Sequence, residues 1–379
     1  MEFNWFLLLE WVLKSFILSL ILLGGFAYLT WFERRVLARM QVRLGPNRVG
    51  WQGLLQPIAD AIKLIFKEEF TPASAQKFLF FLAPILTVVP ALIIVAVLPW
   101  GPDIRIGDFT LRLYIADINV GILYITAIAS VAIYGITLAG WASNNKYALM
   151  GGLRSTAQMI SYELSLGFCF VLVILLGNSM NMIDIVEAQR DVWFAVLQPV
   201  GALVFLIIAL AELNRAPFDM PEAEQELAAG YHTEYSGMKF ALFFMAEYTK
   251  MITLSAISAT LFFGGYREFW FLKDTFLSVD VTPLLGPVYL VLKIVVLLFG
   301  MVWVRATLPR IRYDRLMVFG WKVLLPLTLF LVFITSIGVV FGDVYGPLAV
   351  WLIIPVPSLL VGWFFTLAVD RSLRRKMYA

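Results

Sequence analysis

Nine stretches of this 379-residue chain are almost unbroken in apolar residues: 11–32, 78–99, 118–141, 156–177, 193–212, 238–263, 287–308, 323–341 and 347–369. Crossing a hydrocarbon core of about 30 Å takes roughly 20 helical residues, so each run predicts a membrane span. The last two are separated only by the turn 342–346, which leaves eight spans as an alternative to nine. Between the first two runs the pattern changes. Leu54, Leu55, Ile58, Ile62, Ile65 and Phe66 recur at helical spacing, with Gln56, Asp60, Lys63 and Lys67 on the opposite stripe. That segment is too short and too polar to span. It predicts an amphipathic helix lying in the membrane interface, either packing there or lining a site for an amphiphilic ligand.

Composition agrees: 61% of residues are hydrophobic and 15% charged, against about half and a quarter in soluble domains. The expected fold class is an all-α polytopic membrane protein, a single integral membrane domain over 1–379. A net charge of +3 does not suggest a nucleic-acid partner. The chain has one cysteine, Cys169, and one histidine, His232. It therefore cannot alone hold an Fe–S cluster, a structural zinc or a bis-histidine haem, and an internal disulfide is impossible. No metal site is expected. Run 11–31 leads into a basic loop rather than a small-residue cleavage site, so no cleavable signal peptide is expected.

Basic residues orient the spans. The first loop holds Arg34, Arg35, Arg39, Arg43, Arg48, Lys63, Lys67 and Lys77; the third, Lys146 and Arg154; the fifth, Arg215 and Lys239. The seventh adds Arg305, Arg310, Arg312, Arg315 and Lys322, and the tail Arg371, Arg374, Arg375 and Lys376. The opposite side has only Arg105, Arg112, Arg190, Arg267 and Lys273, with Lys14 near the start of the first span. The N-terminus is expected outside, with the fifth loop and the C-terminus cytoplasmic. This requires an odd number of spans and favours nine.

That fifth loop, 213–237, holds Asp219, Glu222, Glu224, Glu226 and Glu234, with Glu212 at the membrane edge. Glu222, Glu224 and Glu226 are spaced i, i+2, i+4; carboxylates that close share protons and titrate as a group. Two further acids lie inside apolar runs: Glu163 in the fourth and Glu247 in the sixth, each about two turns below the cytoplasmic end. Ionisable groups within a bilayer mark ion or proton routes by default. The alternatives are an acidic loop that docks a basic partner and a structural Glu247–Lys250 pair on one helix face. Lys293, in the seventh run, is either a second buried cation or one that reaches outward. His232 reads as a structural or ligand-contact residue and Cys169 as packing. The cytoplasmic loops carry both signs, which suggests cross-loop pairing and a docking face for a soluble partner.

At PFDMPEAEQELAAG, 217–230, the chain resembles the quinone-site membrane subunit of respiratory complex I, known by the letter H in bacteria and the number 1 in mitochondria. ERR (33–35), RLGPNRVG (43–50), QPIADAIKL (56–64), ASNNKYALMGGLRSTAQMISYE (142–163), EYSGMKFALFFMAEY (234–248) and LPRIRYDRLM (308–317) match in the same order. The resemblance runs from about residue 25 to 340, and the ninth span resembles the longer bacterial members. It implies a heel subunit in a bacterial plasma membrane, joining the hydrophilic arm to the membrane arm. Arg34, Arg35, Arg43, Asp60 and Lys63 would line or gate the quinone chamber. Glu163, Glu212, Glu222, Glu224, Glu226, Glu234 and Glu247 would form the proton path. Asp219, Arg305, Arg310, Arg312 and Asp314 would hold the loops together and meet partner subunits.

The resemblance makes quinone the substrate and places the Fe–S clusters and FMN in partner subunits. Those partners are hydrophilic-arm quinone-site subunits and neighbouring small membrane subunits. Two alternatives are the corresponding subunit of a membrane-bound energy-converting hydrogenase, which would lack quinone-competitive inhibition, and a stand-alone ion transporter, which would work as an isolated monomer. Transporters often carry internal repeats, and the sequence shows none.

Overall fold

The structure, a computed structural model, describes residues 5–106, 109–219, 229–269, 272–273, 278–346 and 353–377; Glu222, Glu224 and Glu226 lie outside these residues. In chain order the helices are α1 (Trp5–Met40), α2 (Gln56–Phe66), α3 (Lys77–Ile93), α4 (Gly121–Ala142), α5 (Lys146–Gly177) and α6 (Met182–Ala188). Then come α7 (Pro199–Glu212), α8 (Gly237–Phe262), α9 (Leu285–Thr307), α10 (Tyr313–Tyr345, with a π-helical turn at Gly320–Leu324) and α11 (Pro355–Met377).

The chain is an all-α polytopic membrane protein. Among the described residues, seven helices are long and apolar enough to cross a membrane: α1, α3, α4, α5, α8, α9 and α10. The other two expected spans are shorter apolar helices, Pro199–Glu212 and Pro355–Leu367. The run 193–212 is broken because Gln198 leaves helical geometry and Pro199 restarts the helix, leaving only the turn Phe194–Leu197 before it. At 1.5 Å per residue α7 measures about 21 Å, short of a full hydrocarbon core.

Two further features depart from the sequence reading. A small antiparallel hairpin, β1 (Ile104–Ile106) with β2 (Phe109–Leu111), pairs Ile104 with Leu111. And α5 begins at Lys146 rather than at 156. The Asn145 side chain accepts a hydrogen bond from the Tyr147 amide at 3.0 Å, capping a start that the polar Gly-Gly-Leu-Arg stretch conceals. Glu163 therefore sits about 25 Å along α5 and Glu247 about 15 Å along α8, not at equal depths from the helix starts.

The amphipathic helix falls where expected. In α2, Ile58, Ile62, Ile65 and Phe66 are all exposed, an apolar face with no protein cover that suits an interfacial position.

The centre of the bundle is α8, which packs against α1, α2, α3, α6, α7 and α9. Every residue from Met251 to Phe262 is buried. Four of these are hydroxyl residues. Thr253, Ser255, Ser258 and Thr260 each donate to the carbonyl four residues back, which satisfies them without a partner helix.

Beyond the end of α8, Lys293 of α9 is a buried cation. Its ammonium donates to the carbonyls of Phe263 (2.7 Å), Gly265 (2.8 Å) and Arg267 (2.6 Å) and lies 4.7 Å from the Trp193 ring centre. It uses all three N–H bonds to close the turn after α8. Lys293→Leu should therefore destabilise, by about 1–3 kcal/mol for each carbonyl left unsatisfied. A lower thermal transition of the purified protein, with Glu247 chemistry unaffected, checks this.

Candidate functional site

Glu33 stands at the end of the apolar part of α1 and is 3% exposed. Arg305, from the last turn of α9, pairs with it. So does Arg215, which follows α7, with Nη1 at 3.6 Å. The Nε of Arg215 in turn contacts the Glu247 carboxylate on α8, and its guanidinium lies 4.4 Å from the Tyr248 ring centre. Burial works against the charge on Arg215, but Glu247, Tyr248 and Glu33 more than offset it, and its pKa rises above the usual arginine value. Arg215 is thus a fixed cation bridging two buried carboxylates from different spans.

Glu247 also faces a cavity of about 20 Å³ together with Glu212, Asn214, Lys250 and Tyr231, with Thr87, Ile136, Met159 and Phe243 among the other walls. That volume accommodates about one water molecule. Two of the lining oxygens, Glu212 Oε2 and Asn214 Oδ1, are buried with no hydrogen-bond partner among the described residues. Glu163 is not a cavity wall, but it lies within electrostatic range of Glu212 and Lys250. Its carboxylate accepts from the Ser130 hydroxyl on α4. Glu212 of α7 and Glu247 and Lys250 of α8 thus meet at one polar cavity, with Glu163 of α5 nearby.

The alternative of a structural Glu247–Lys250 ion pair is not seen among the described residues. The ion pair of Glu247 is with Arg215, while Lys250 faces the same cavity as Glu212.

The turn after α7 is held from several sides. Gln158 Nε2 of α5 donates to the carbonyls of Ala211 (2.9 Å) and Phe218 (3.1 Å), and Asn214 Nδ2 donates to Ser155 Oγ at 2.8 Å. Arg310 Nη2 bonds Asp219 at 3.1 Å, and the Ile311 amide donates to the Pro217 carbonyl at 2.9 Å. Cross-loop pairing between the acidic loop and the loop before α10 is therefore present. On the far side of the loop, α5 and Gly230 touch so closely that a Cβ on Gly151 would lie 2.5 Å from Gly230 Cα. Glycine at 151 lets the end of the acidic stretch dock on α5.

The family is decided by comparison with known sequences. The sequence model described as NADH dehydrogenase matches residues 13–336, most of the chain. The chain belongs to the NADH dehydrogenase family. It is 48% identical to the second NADH-quinone oxidoreductase H-type subunit of Geobacter metallireducens, over 86% of this chain and 94% of that one. It is 49% identical to the second such subunit of Syntrophobacter fumaroxidans, over 88% and 97% of the two chains. It is 48% identical to the H-type subunit of Thermomicrobium roseum, over 89% and 98%.

In this NADH dehydrogenase family member, the residues expected at a ligand chamber fall into two groups. Arg34 Nη1 bonds Asp60 at 2.7 Å, tying the end of α1 to α2, and Gln56 Nε2 bonds the same carboxylate at 3.1 Å. Arg35 Nη1 bonds the Gln52 carbonyl (3.1 Å) and side chain (3.0 Å) and stacks over Trp31. Arg43 and Lys63 do not join them. Arg43 pairs with nearby Gln41 at 2.7 Å, and Lys63 is exposed. Glu234 is half-buried and accepts from Asn145 Nδ2 at 2.7 Å, between the acidic loop and the start of α5. Arg312 and Asp314 are 3.5 Å apart, and both are exposed. Sequence reasoning passed over Glu33 and Arg215. The available signal was an acid and a base set hard against long apolar runs.

His232 sits among the rings of Tyr231, Phe240 and Phe243. Burial pushes its pKa down to about 3, so the imidazole is neutral at working pH. In the unfolded chain it titrates near 6.5. Between those values the unfolded state binds more protons, so stability falls as pH drops from about 6.5 toward 3. His232→Phe should lose less stability than the parent between pH 7 and pH 5.5, as read by thermal transitions at the two pH values.

Proposed function

We propose that this chain is the quinone-chamber and proton-path subunit of a proton-translocating NADH:quinone oxidoreductase. What carries the reading is the continuous set Glu33–Arg215–Glu247 leading into the cavity shared by Glu247, Glu212 and Lys250. One end lies beside the α1–α2 junction where Arg34 and Asp60 pair; the other lies within the helix bundle. The names of the relatives support the same activity.

Quinone reduction consumes two electrons and two protons. Charge arising in a chamber beside α1 and α2 acts on Glu33 through the Arg34–Asp60 junction. Arg215, shared between Glu33 and Glu247, transmits that change, because any gain in negative charge at one carboxylate weakens its hold on the other. Glu247 and Glu212 then exchange a proton through the cavity, with Lys250 stabilising whichever carboxylate is ionised. Glu163 continues the route toward α4. Glu222, Glu224, Glu226 and Glu234 supply protons from the loop face. Asp219, Arg305, Arg310, Arg312 and Asp314 keep that face assembled against the hydrophilic-arm subunits.

The electron donors, Fe–S clusters and FMN, belong to those partner subunits. Neighbouring small membrane subunits and membrane lipid surround the spans. The acidic loop and C-terminus face the cytoplasm of a bacterial plasma membrane, with the N-terminus outside. Arg43 and Lys63 line the outer approach to the chamber.

Asp60→Ala tests the chamber. It frees Arg34 and Gln56 at the α1–α2 junction and should lower quinone reductase activity about tenfold, the equivalent of one charge-assisted hydrogen bond. Native gels should show a normal assembly. A normal rate with failed assembly would count against the chamber role.

A further inference from the structure

At the end of the bundle opposite Glu33, the first turns of α1 and the segment after β2 enclose an open cavity of about 710 Å³. Its charged lining is balanced: Glu10 and Asp117 against Lys14 and Arg112, with Trp11 and Tyr114 beside them. Lys14 pairs with Glu10, and Asp117 accepts from Asn181 at 2.7 Å. Arg112 is exposed and forms no ion pair among the described residues.

A second cavity, about 320 Å³ and almost wholly apolar, lies deeper along the same helix between α1, α8 and α9. Its α1 wall includes Ile21, Gly25, Tyr28 and Phe32. These continue from Lys14 and Leu18 at alternating spacings of four and three, so headgroup-sized cavity and apolar groove share one stripe of α1. Trp100 lines the groove, and its amide donates to the Leu113 carbonyl at 3.1 Å, between Arg112 and Tyr114 of the polar cavity. One backbone hydrogen bond therefore ties a wall of the groove to the segment that lines the polar cavity. From Ile21 to Phe32 the groove runs about 16 Å, roughly half of a hydrocarbon core. Beside it, Leu13, Phe16, Ile17 and Leu20 form an exposed apolar ridge.

We infer that these two cavities are a single binding site for one zwitterionic aminophospholipid, with its headgroup in the Glu10–Lys14–Arg112–Asp117 cavity and an acyl chain in the α1–α8–α9 groove. The phosphate meets Arg112 and Lys14. The primary ammonium meets Asp117 and Glu10, which accept hydrogen bonds that a quaternary ammonium cannot supply. A balanced lining gives no preference for a net anionic headgroup. Trp11 and Tyr114 take the interfacial position common to aromatic residues at membrane surfaces. The second acyl chain lies on the exposed ridge of α1. The headgroup cavity is at the opposite end of α1 from the Arg34–Asp60 junction, and the groove ends at Trp31 and Phe32 beside that junction; the site takes a lipid rather than a quinone.

The test is photolabelling of the protein, purified with its co-purifying subunits, in nanodiscs. The probe is a phosphatidylethanolamine carrying a diazirine midway along one acyl chain, and adducts are mapped by mass spectrometry. Labelling should concentrate on 16–32 of α1 and on α9. Unlabelled phosphatidylethanolamine should compete about tenfold better than phosphatidylcholine or phosphatidylglycerol, the effect of one charge-assisted contact. Lys14→Gln with Arg112→Gln should lower the labelling by a similar factor. Adducts spread evenly over lipid-facing helices, equal competition by all three lipids, or competition by a soluble quinone analogue instead would each overturn the inference. Because the competition uses the parent protein, it decides the matter even if the double variant does not fold.

Discussion

Replacing Arg215 with methionine should leave the protein poorly assembled and inactive. The substitution keeps the aliphatic bulk but strips Glu247 of its ion pair and Glu33 of one of its two cations. Removing one member of a buried charged set typically costs about 3–5 kcal/mol, because the partner is left charged and desolvated. Among residues of the described loop, none other bridges carboxylates from two spans. Membranes carrying Arg215→Met should contain much less of the chain by immunoblot, and solubilised protein should unfold at lower temperature. Combining it with Glu247→Gln should recover part of the lost stability, since the orphaned charge is then neutral. Such recovery is non-additivity of the kind expected for contacting residues. Arg215→Lys should restore abundance more than activity, because a lysine lacks the planar fork that holds both acids at once.

The second large effect is expected at Glu212. This acid is 7% exposed at the end of α7, faces the 20 Å³ cavity and has a buried oxygen with no hydrogen-bond partner among the described residues. Glu212→Gln preserves shape and removes the titrating proton. Assembly should be normal, because Glu212 forms no ion pair among the described residues. Quinone reductase activity should fall on the order of 100-fold, the low end of what a positioned proton-transfer group contributes. Glu212→Asp, which keeps the carboxyl but shortens its reach, should fall between. A Glu212→Gln protein with full activity would remove the cavity from the proton path.

Much of this was readable from the chain. Seven of the nine apolar runs coincide with helices long and apolar enough to span among the described residues, and α2 was legible because its period-3.6 pattern was short and two-faced. Glu163, Glu212 and Glu247 stood out as acids within or beside apolar runs. Three things were hidden. The long start of α5 depends on the Asn145 cap and on the close approach of Gly151 to Gly230, contacts that local propensity does not encode. The break before α7 divides a run whose hydropathy is continuous. And Arg215 and Glu33 looked like ordinary members of charged loops. Their role comes from α7, α8, α9 and α1 converging, which places a loop cation between carboxylates more than two hundred residues apart in sequence. The sequence pattern also set Glu163 and Glu247 at equal depth, whereas the structure relates them through Glu212 and Lys250 instead.

The central claim is that quinone reduction drives proton movement through Glu247 and Glu212 of this chain. The most direct measurement is proton translocation per NADH oxidised, in liposomes holding the purified assembly, for the parent protein and for Glu212→Gln. The parent should acidify the interior in a manner abolished by a quinone-site inhibitor. The variant should lose translocation and NADH oxidation together while its Fe–S clusters remain reducible by NADH. Unchanged proton stoichiometry at an unchanged rate in Glu212→Gln would contradict the account.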